Sequence, residues 1–375
     1  MILGFWECKA RKNPYHSWGQ YLLTSTSING TYQLRYGQSV GVVCLFLGEK
    51  KLKKNIVYES LRMVLLLILV SFLAFVLIAK APIDPLTSYI GTNSTLSAEA
   101  KAEIAKHWGL NGTVLERYGA WLNNLAHGDL GTSITYKKTV LTVIGERFSH
   151  SVVLMMFAWA ISGVLGFFLG VIAGLHQGSI FDRILKVFCL ALKSAPTFWL
   201  GILCLVIFAV KLGWFPIGMA VPMGKLASEV TLSDRIYHLI LPVVTLSIAS
   251  ISEPVLYTRQ RVIEILNSDF ILYARTRGEN PRQIMRRHIL RNVMLPAITV
   301  QFASFSELFG GMALAENVFA YPGIGTATTA AALNGDAPLL IGIALISAIF
   351  VFTGNLIANI LYGVLDPRIR EGERK

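Results

Sequence analysis

The residues between Ser151 and Leu175 include no Asp, Glu, Lys or Arg. A helix needs about 20 apolar residues to cross the hydrocarbon of a bilayer. Five more stretches approach that length: Met63–Ala79, Val187–Val210, Ile236 to about Glu253, Asn292 to Val318, and Ala337–Leu365. Lipid offers no partner for a free backbone N–H or C=O, so each must close its hydrogen bonds internally as a helix. Charged residues make up 15% of the chain, against about 25% in soluble domains. The reading is an all-α polytopic membrane protein with six transmembrane helices.

Lysine and arginine orient the helices. Lys50, Lys51, Lys53, Lys54 and Arg62 precede the first, and Arg183 and Lys186 separate the second from the third. Eight arginines lie between Arg259 and Arg291, and Arg368, Arg370, Arg374 and Lys375 follow the sixth. The alternate connections are leaner: residues 319–337 hold no Lys or Arg, and residues 80–150 are close to charge balance. This alternation predicts both termini in the cytoplasm. It also assigns the net charge of +12 to membrane topology, with no nucleic-acid partner.

Three segments follow. Residues 1–52 form an N-terminal extension of unassigned role, where Val42–Leu47 is too short to span. Residues 53–150 carry the first helix and an outer helical segment. Residues 151–375 hold the helical core. In the outer segment, Ser97 caps a pattern that stops at Gly109. A second pattern repeats Leu115, Tyr118, Leu122 and Leu125 before the turn at Gly128.

The arginine-rich connection predicts its own shape. Ala274–Arg277 suits a helix, and Gly278 suits a left-handed residue just past its end. Asn280 suits a helix N-cap, Pro281 the first helical position, and Gln283 the third position of a capping box. A helix, a tight turn and a second helix carrying Arg282, Arg286 and Arg287 result. Lipid anchoring accounts for the charge but not for the paired caps, so Tyr273, Ala274, Arg275, Thr276, Arg277, Gly278, Glu279, Asn280 and Pro281 are read as a protein-docking element.

Here the sequence resembles a family. Asp269-Phe270, Ala274-Arg275-Thr276-Arg277-Gly278, Arg287-His288-Ile289-Leu290-Arg291-Asn292 and Leu295-Pro296 are similar to the coupling loop of ATP-binding-cassette importer permeases, of the dipeptide, oligopeptide and nickel branch. Gly128-Asp129-Leu130-Gly131-Thr132-Ser133, Asp182-Arg183, Pro196-Thr197-Phe198-Trp199-Leu200-Gly201, Glu316 through Gly325, and Leu365-Asp366-Pro367-Arg368-Ile369-Arg370 match that branch in order. The sequence departs from the general pattern with Leu272-Tyr273-Ala274 before the loop glycine, and with Pro82-Ile83-Asp84-Pro85 after the first helix. The resemblance implies a type I importer permease in a bacterial inner membrane. It implies a second homologous permease subunit, two cytoplasmic ATPases that bind ATP and Mg, and an extracytoplasmic solute-binding protein. It places Ala274 and Gly278 in a cleft on the ATPase. The chain itself would hold no cofactor and catalyse nothing. Its nearest approach to a phosphate-binding loop, Gly218 to Leu226, is one residue too long and lacks the hydroxyl.

Ionisable residues within spans are default functional candidates. They are Lys193, Glu253 and Glu307, read as lining a translocation path. Lys193 has the plain alternative of snorkelling, Glu253 a salt bridge to Arg259 or Arg261, and Glu307 a helix contact beside Gly310-Gly311. Glu316 reads as structural. The seven histidines and four cysteines show no metal-ligand spacing. Two competing readings are a stand-alone secondary transporter or channel, which should show matched broken repeats, and a membrane hydrolase. The hydrolase lacks a His or Asp placed to activate Ser162, Ser247, Ser250 or Ser347.

Overall fold

The computed structural model describes residues 61–77, 80, 113–226 and 228–365, all within one compact unit, Ile56–Lys375. The extension 1–52 and the helix expected at 97–109 lie outside the described residues. Among those described the fold is helical: α1 Leu61–Leu77, α2 Val114–Ala126, α3 Val140–Leu175, α4 Ile180–Ser194, α5 Thr197–Cys204, α6 Leu232–Ser250, α7 Ser252–Leu266, α8 Asp269–Thr276, α9 Pro281–Ile284, α10 Leu290–Ala303, α11 Phe305–Val318, α12 Ile324–Leu333 and α13 Ala337–Leu365. Wider π turns extend α5 through Leu205–Lys211 and join α9 to α10 through Met285–Ile289.

Helices α3, α6 and α13 are each long and apolar enough to cross a membrane alone. Two further crossings are broken. The third predicted span, Val187–Val210, is not one rod: α4 and α5 meet at 110°. Proline explains the break. Pro196 has no N–H and forces Ala195 into an extended conformation (φ −87°, ψ 130°). The fifth span bends by 50° between α10 and α11. There the Ser304 hydroxyl donates to the Gln301 carbonyl at 3.0 Å, a back-bond that bends helices. The fourth span ends at Ser250 rather than near Glu253, because Pro254 cannot continue the ladder and α7 restarts after Ile251.

Helix α3 starts eleven residues before the expected span. Its extra turns bury Val140, Val143 and Ile144 against α12 and α13. Helix α12 falls in the stretch 319–337 that was read only as a lean connection; its small residues Ala327 and Ala331 are fully buried. Helix α2 matches expectation. Thr113 caps it with a full capping box, and the Thr113 backbone and side-chain hydrogen bonds hold the Glu116 carboxyl below the usual carboxylate range.

The backbone of α3 meets that of α7 along Gly166, Gly170 and Gly174. A methyl group at Gly170 would lie 2.7 Å from both the Val255 carbonyl oxygen and Thr258 Cβ. At Gly174 it would lie 2.6 Å from Val262 Cβ. A small residue every fourth position is what allows two membrane helices to touch backbone to backbone.

Candidate functional site

The predicted helix–turn–helix is present in detail. Helix α8 ends with Arg277 as its cap, and Gly278 follows at φ +80°. The Gly278 N–H donates to the Arg275 carbonyl at 3.0 Å, and the Glu279 N–H to the Ala274 carbonyl at 3.2 Å. That pair of bonds is a Schellman motif, which closes the orphan carbonyls of a helix end. The Gln283 N–H donates to Asn280 Oδ1 at 2.9 Å, and the Asn280 N–H donates back to Gln283 Oε1 at 3.1 Å. Pro281 opens α9. The two caps, Arg277 and Asn280, thus stand on either side of Gly278 and Glu279. His288 Nε2 lies 3.0 Å from a Glu279 carboxylate oxygen, tying the turn to the start of the next span.

This element is mounted firmly. Ile271, Ala274, Ile284 and Ile289 are buried with Val171 of α3, Val262 and Ile265 of α7, and Val293 of α10. Each buried isoleucine contributes roughly 1.5–3 kcal/mol. The turn is therefore packed on α3, α7 and α10 through one continuous apolar cluster. Ala274 corrects an expectation: its side chain is 3% exposed and packs inward. Helical phase decides this, because Ala274 shares the inner face with Ile271, three positions earlier. The outward face instead carries Leu272 at 63% and Tyr273 at 65% exposure. The Arg277 guanidinium stands 5.9 Å from the centre of the Tyr273 ring. Arg275, Thr276, Arg277, Gly278, Asn280 and Pro281 are exposed, and Glu279 is half-buried. An exposed aromatic held beside arginines is the residue set that dominates protein interfaces.

A second locus lies where the spans are interrupted. One cleft of about 100 Å³ is lined by Lys193, Glu253 and Glu307 together, with Thr197, Ser250 and Ser304 among its other walls. Lys193 of α4, Glu253 of α7, just past the end of the fourth span, and Glu307 of α11 share one space, although 114 positions separate the first from the last. The alternative reading of Glu253, an ion pair with Arg259 or Arg261, is not realised. Arg259 pairs with Asp182, through two of its guanidinium nitrogens, and Arg261 with Glu264 at 2.9 Å. Asp182 sits at the start of α4 and is buried, so it captures the nearer arginine across the α4–α7 contact. It also accepts the Gly178 N–H at 2.9 Å.

Glu316 is structural, as read. Its fully buried carboxylate accepts from the Ser151 hydroxyl at 2.5 Å and from the Gly325 N–H at 2.6 Å. The Ile324 N–H donates to the same Ser151 oxygen at 2.8 Å. A side chain at Gly323 would collide with the carboxylate, which explains the glycine at that position. Asp336 does the same for α13. It accepts from Ser133 at 2.5 Å, from the Thr135 N–H at 2.9 Å and from the Leu339 N–H at 3.2 Å. The Asp182–Arg259 pair, Asp336 and the glycine ladder were not singled out from sequence. Only the ladder had a sequence signal, its four-residue spacing.

Broken apolar helices around a charged cleft, with a capped basic turn packed on the same core, are the features of a membrane transport protein. Comparisons with known proteins make this specific. Residues 166–371 match the model of the binding-protein-dependent transport system inner membrane component, and residues 52–155 match the N-terminal model of such membrane components. The chain belongs to this family. It is 33% identical to the oligopeptide transport system permease protein AppB of Bacillus subtilis (strain 168), covering 84% of this chain and 98% of that protein. It is 32% identical to the di/tripeptide transport system permease protein DppB of Pseudomonas aeruginosa (strain UCBPP-PA14), covering 80% and 94%. A solved inward-facing structure of the MetNI methionine ABC transporter aligns at 15% identity and a TM-score of 0.47, covering 60% of this chain and 97% of that one. The chain is thus a non-catalytic, multi-pass inner-membrane component of an ATP-binding-cassette transport complex, and nucleotide is bound by other subunits.

Proposed function

We propose that this chain is one of two homologous permease halves of a peptide importer. Two ATPases dock on the paired halves from the cytoplasm, and an extracytoplasmic binding protein delivers the substrate. Both termini lie in the cytoplasm, the side on which the arginine-rich turn lies. Residues Tyr273 to Pro281 form the coupling element: Tyr273, Arg275 and Arg277 touch the ATPase, while Ala274 anchors the element to α3 and α7. Lys193, Glu253 and Glu307 line the translocation path. The named relatives are peptide permeases, which favours peptides over nickel chelates as cargo.

The observation that carries this reading is the doubly capped turn at Gly278, mounted on α3, α7 and α10. A surface that must pass a rigid-body stroke into spans has to be stiff, and this one is. The test is reconstitution of the four-subunit complex with its binding protein in liposomes. Peptide uptake that stops when ATP is omitted or when a hydrolysis-dead ATPase is substituted supports the reading. Uptake driven by an ion gradient without ATP defeats it in favour of a secondary transporter.

A further inference from the structure

Two interrupted spans and the end of a third meet at one place. The break between α4 and α5 supplies Lys193 and Thr197, the break between α6 and α7 supplies Ser250 and Glu253, and the break between α10 and α11 supplies Ser304 and Glu307. Helix interruptions at membrane depth are tolerated where they line a cavity, and in transporters they mark binding sites. Among the described residues, none of the three charges lies within ion-pair distance of an opposite charge. An ammonium and two carboxylates thus surround one space without being joined. Lys193 and Glu307 are exposed and Glu253 is half-buried, so a ligand bearing both signs can reach all three.

The hydrogen-bonding inventory narrows the ligand. The Ser250 and Ser304 hydroxyls already donate to the Leu246 and Gln301 carbonyls, which leaves them as acceptors. Together with Glu253 and Glu307 they make an acceptor-rich wall, and an ammonium with three N–H donors is its complement. Lys193, which lines the same cleft from α4, is a donor-only group that fits a carboxylate. The cleft exceeds the 10–15 Å³ or so that a single water needs; it holds chain ends rather than a folded body.

We infer that this cleft is a subsite for the charged termini of a zwitterionic peptide. Lys193 receives the C-terminal carboxylate, and Glu253 and Glu307 receive the N-terminal ammonium. The inference rests on the importer reading above and adds to it a selectivity inside the membrane subunit. Free ends then fit in transit and blocked ends do not.

The test uses the assembled complex in lipid nanodiscs without the binding protein. Equilibrium binding is measured for one radiolabelled tripeptide in four forms: free, N-acetylated, C-amidated and doubly blocked. A charge-assisted hydrogen bond is worth about 1.5–3 kcal/mol, so wild type should bind the free form at least about tenfold more tightly than the doubly blocked one. Lys193→Met should abolish the preference for a free C-terminus and leave the preference for a free N-terminus. Glu253→Gln with Glu307→Gln should do the reverse, and Lys193→Arg should keep both. General structural damage would lower all four affinities together. Equal wild-type affinities, no saturable binding of the free form, or loss of preference at the wrong end overturns the subsite. Because these readings need only the wild-type complex at minimum, a variant that fails to assemble leaves the test intact. If ATP-driven uptake persists while terminus preference is absent, only the subsite falls. If uptake needs no ATP, the importer reading falls with it.

Discussion

Gly170→Ala should weaken this protein, and Gly145→Ala on the same helix should not. Both replacements gain the same helix propensity, about 0.8–1.0 kcal/mol. A methyl group at Gly145 meets nothing within 4 Å. One at Gly170 would sit 2.7 Å from the Val255 carbonyl oxygen and 3.1 Å from the Arg259 backbone nitrogen. Carbon contacts settle near 3.5–4.0 Å, so α3 and α7 must part by roughly 1 Å. The obstacles include backbone atoms, which no rotamer change can move. Overpacking of this kind costs about 1–3 kcal/mol. The difference between the two variants isolates that cost, since propensity cancels. Melting of the purified chain in detergent, followed by tryptophan fluorescence, should place Gly145→Ala at or above wild type and Gly170→Ala clearly below Gly145→Ala. The sites are far apart along α3, so the double variant should show the sum of the two shifts. A Gly170→Ala protein as stable as Gly145→Ala would refute direct backbone contact between α3 and α7. That contact is what fixes the docking turn to the membrane core, so its loss would also remove the rigid linkage proposed for coupling.

Gly278→Val should leave folding largely intact yet reduce peptide-stimulated ATP hydrolysis several-fold. A left-handed non-glycine residue costs roughly 1–2 kcal/mol, and the turn opens locally. Gly278→Asn, which tolerates that conformation better, should lie nearer wild type in the same assay. Asp182→Ala leaves Arg259 without its partner and should cost on the order of 3 kcal/mol, read as a lower melting midpoint. Asp182→Ala combined with Arg259→Met should recover part of it. Glu316→Gln should lower the midpoint by an amount corresponding to about 1–3 kcal/mol, because its amide cannot accept from Ser151 and the Gly325 N–H as both carboxylate oxygens do.

The docking turn was legible in the sequence because every device that makes it is local. Gly278, Asn280, Pro281 and Gln283 act on backbone atoms no more than a few residues away. The apolar runs were legible for the same reason, since hydropathy needs no partner. What failed was tertiary. Pro196 lies inside the third apolar run, but the 110° angle at that point depends on what α4 and α5 pack against. Glu253 had arginines close by in sequence, yet Arg259 had a better partner 77 residues upstream in Asp182. Ala274 was placed outward from the resemblance, although its phase with Ile271 on α8 puts it inside. Helix α12 was passed over because a run of Thr and Ala carries little hydropathy contrast; it forms because Ala327 and Ala331 fit closely against α3 and α13. The cleft could be guessed as three separate residues and not as one space, since only the fold brings the breaks together.

The most direct measurement is site-specific photo-crosslinking in the assembled complex. A crosslinker at Tyr273 or Arg277, on the outward face of α8 and its cap, should capture the ATPase subunit, and the yield should change between nucleotide-free and ATP-trapped states. The same group at Leu115, exposed on the outer helix α2, should capture none. Failure of both turn positions to capture the ATPase, in complexes that still import peptide on ATP, would contradict the claim that this turn carries the stroke.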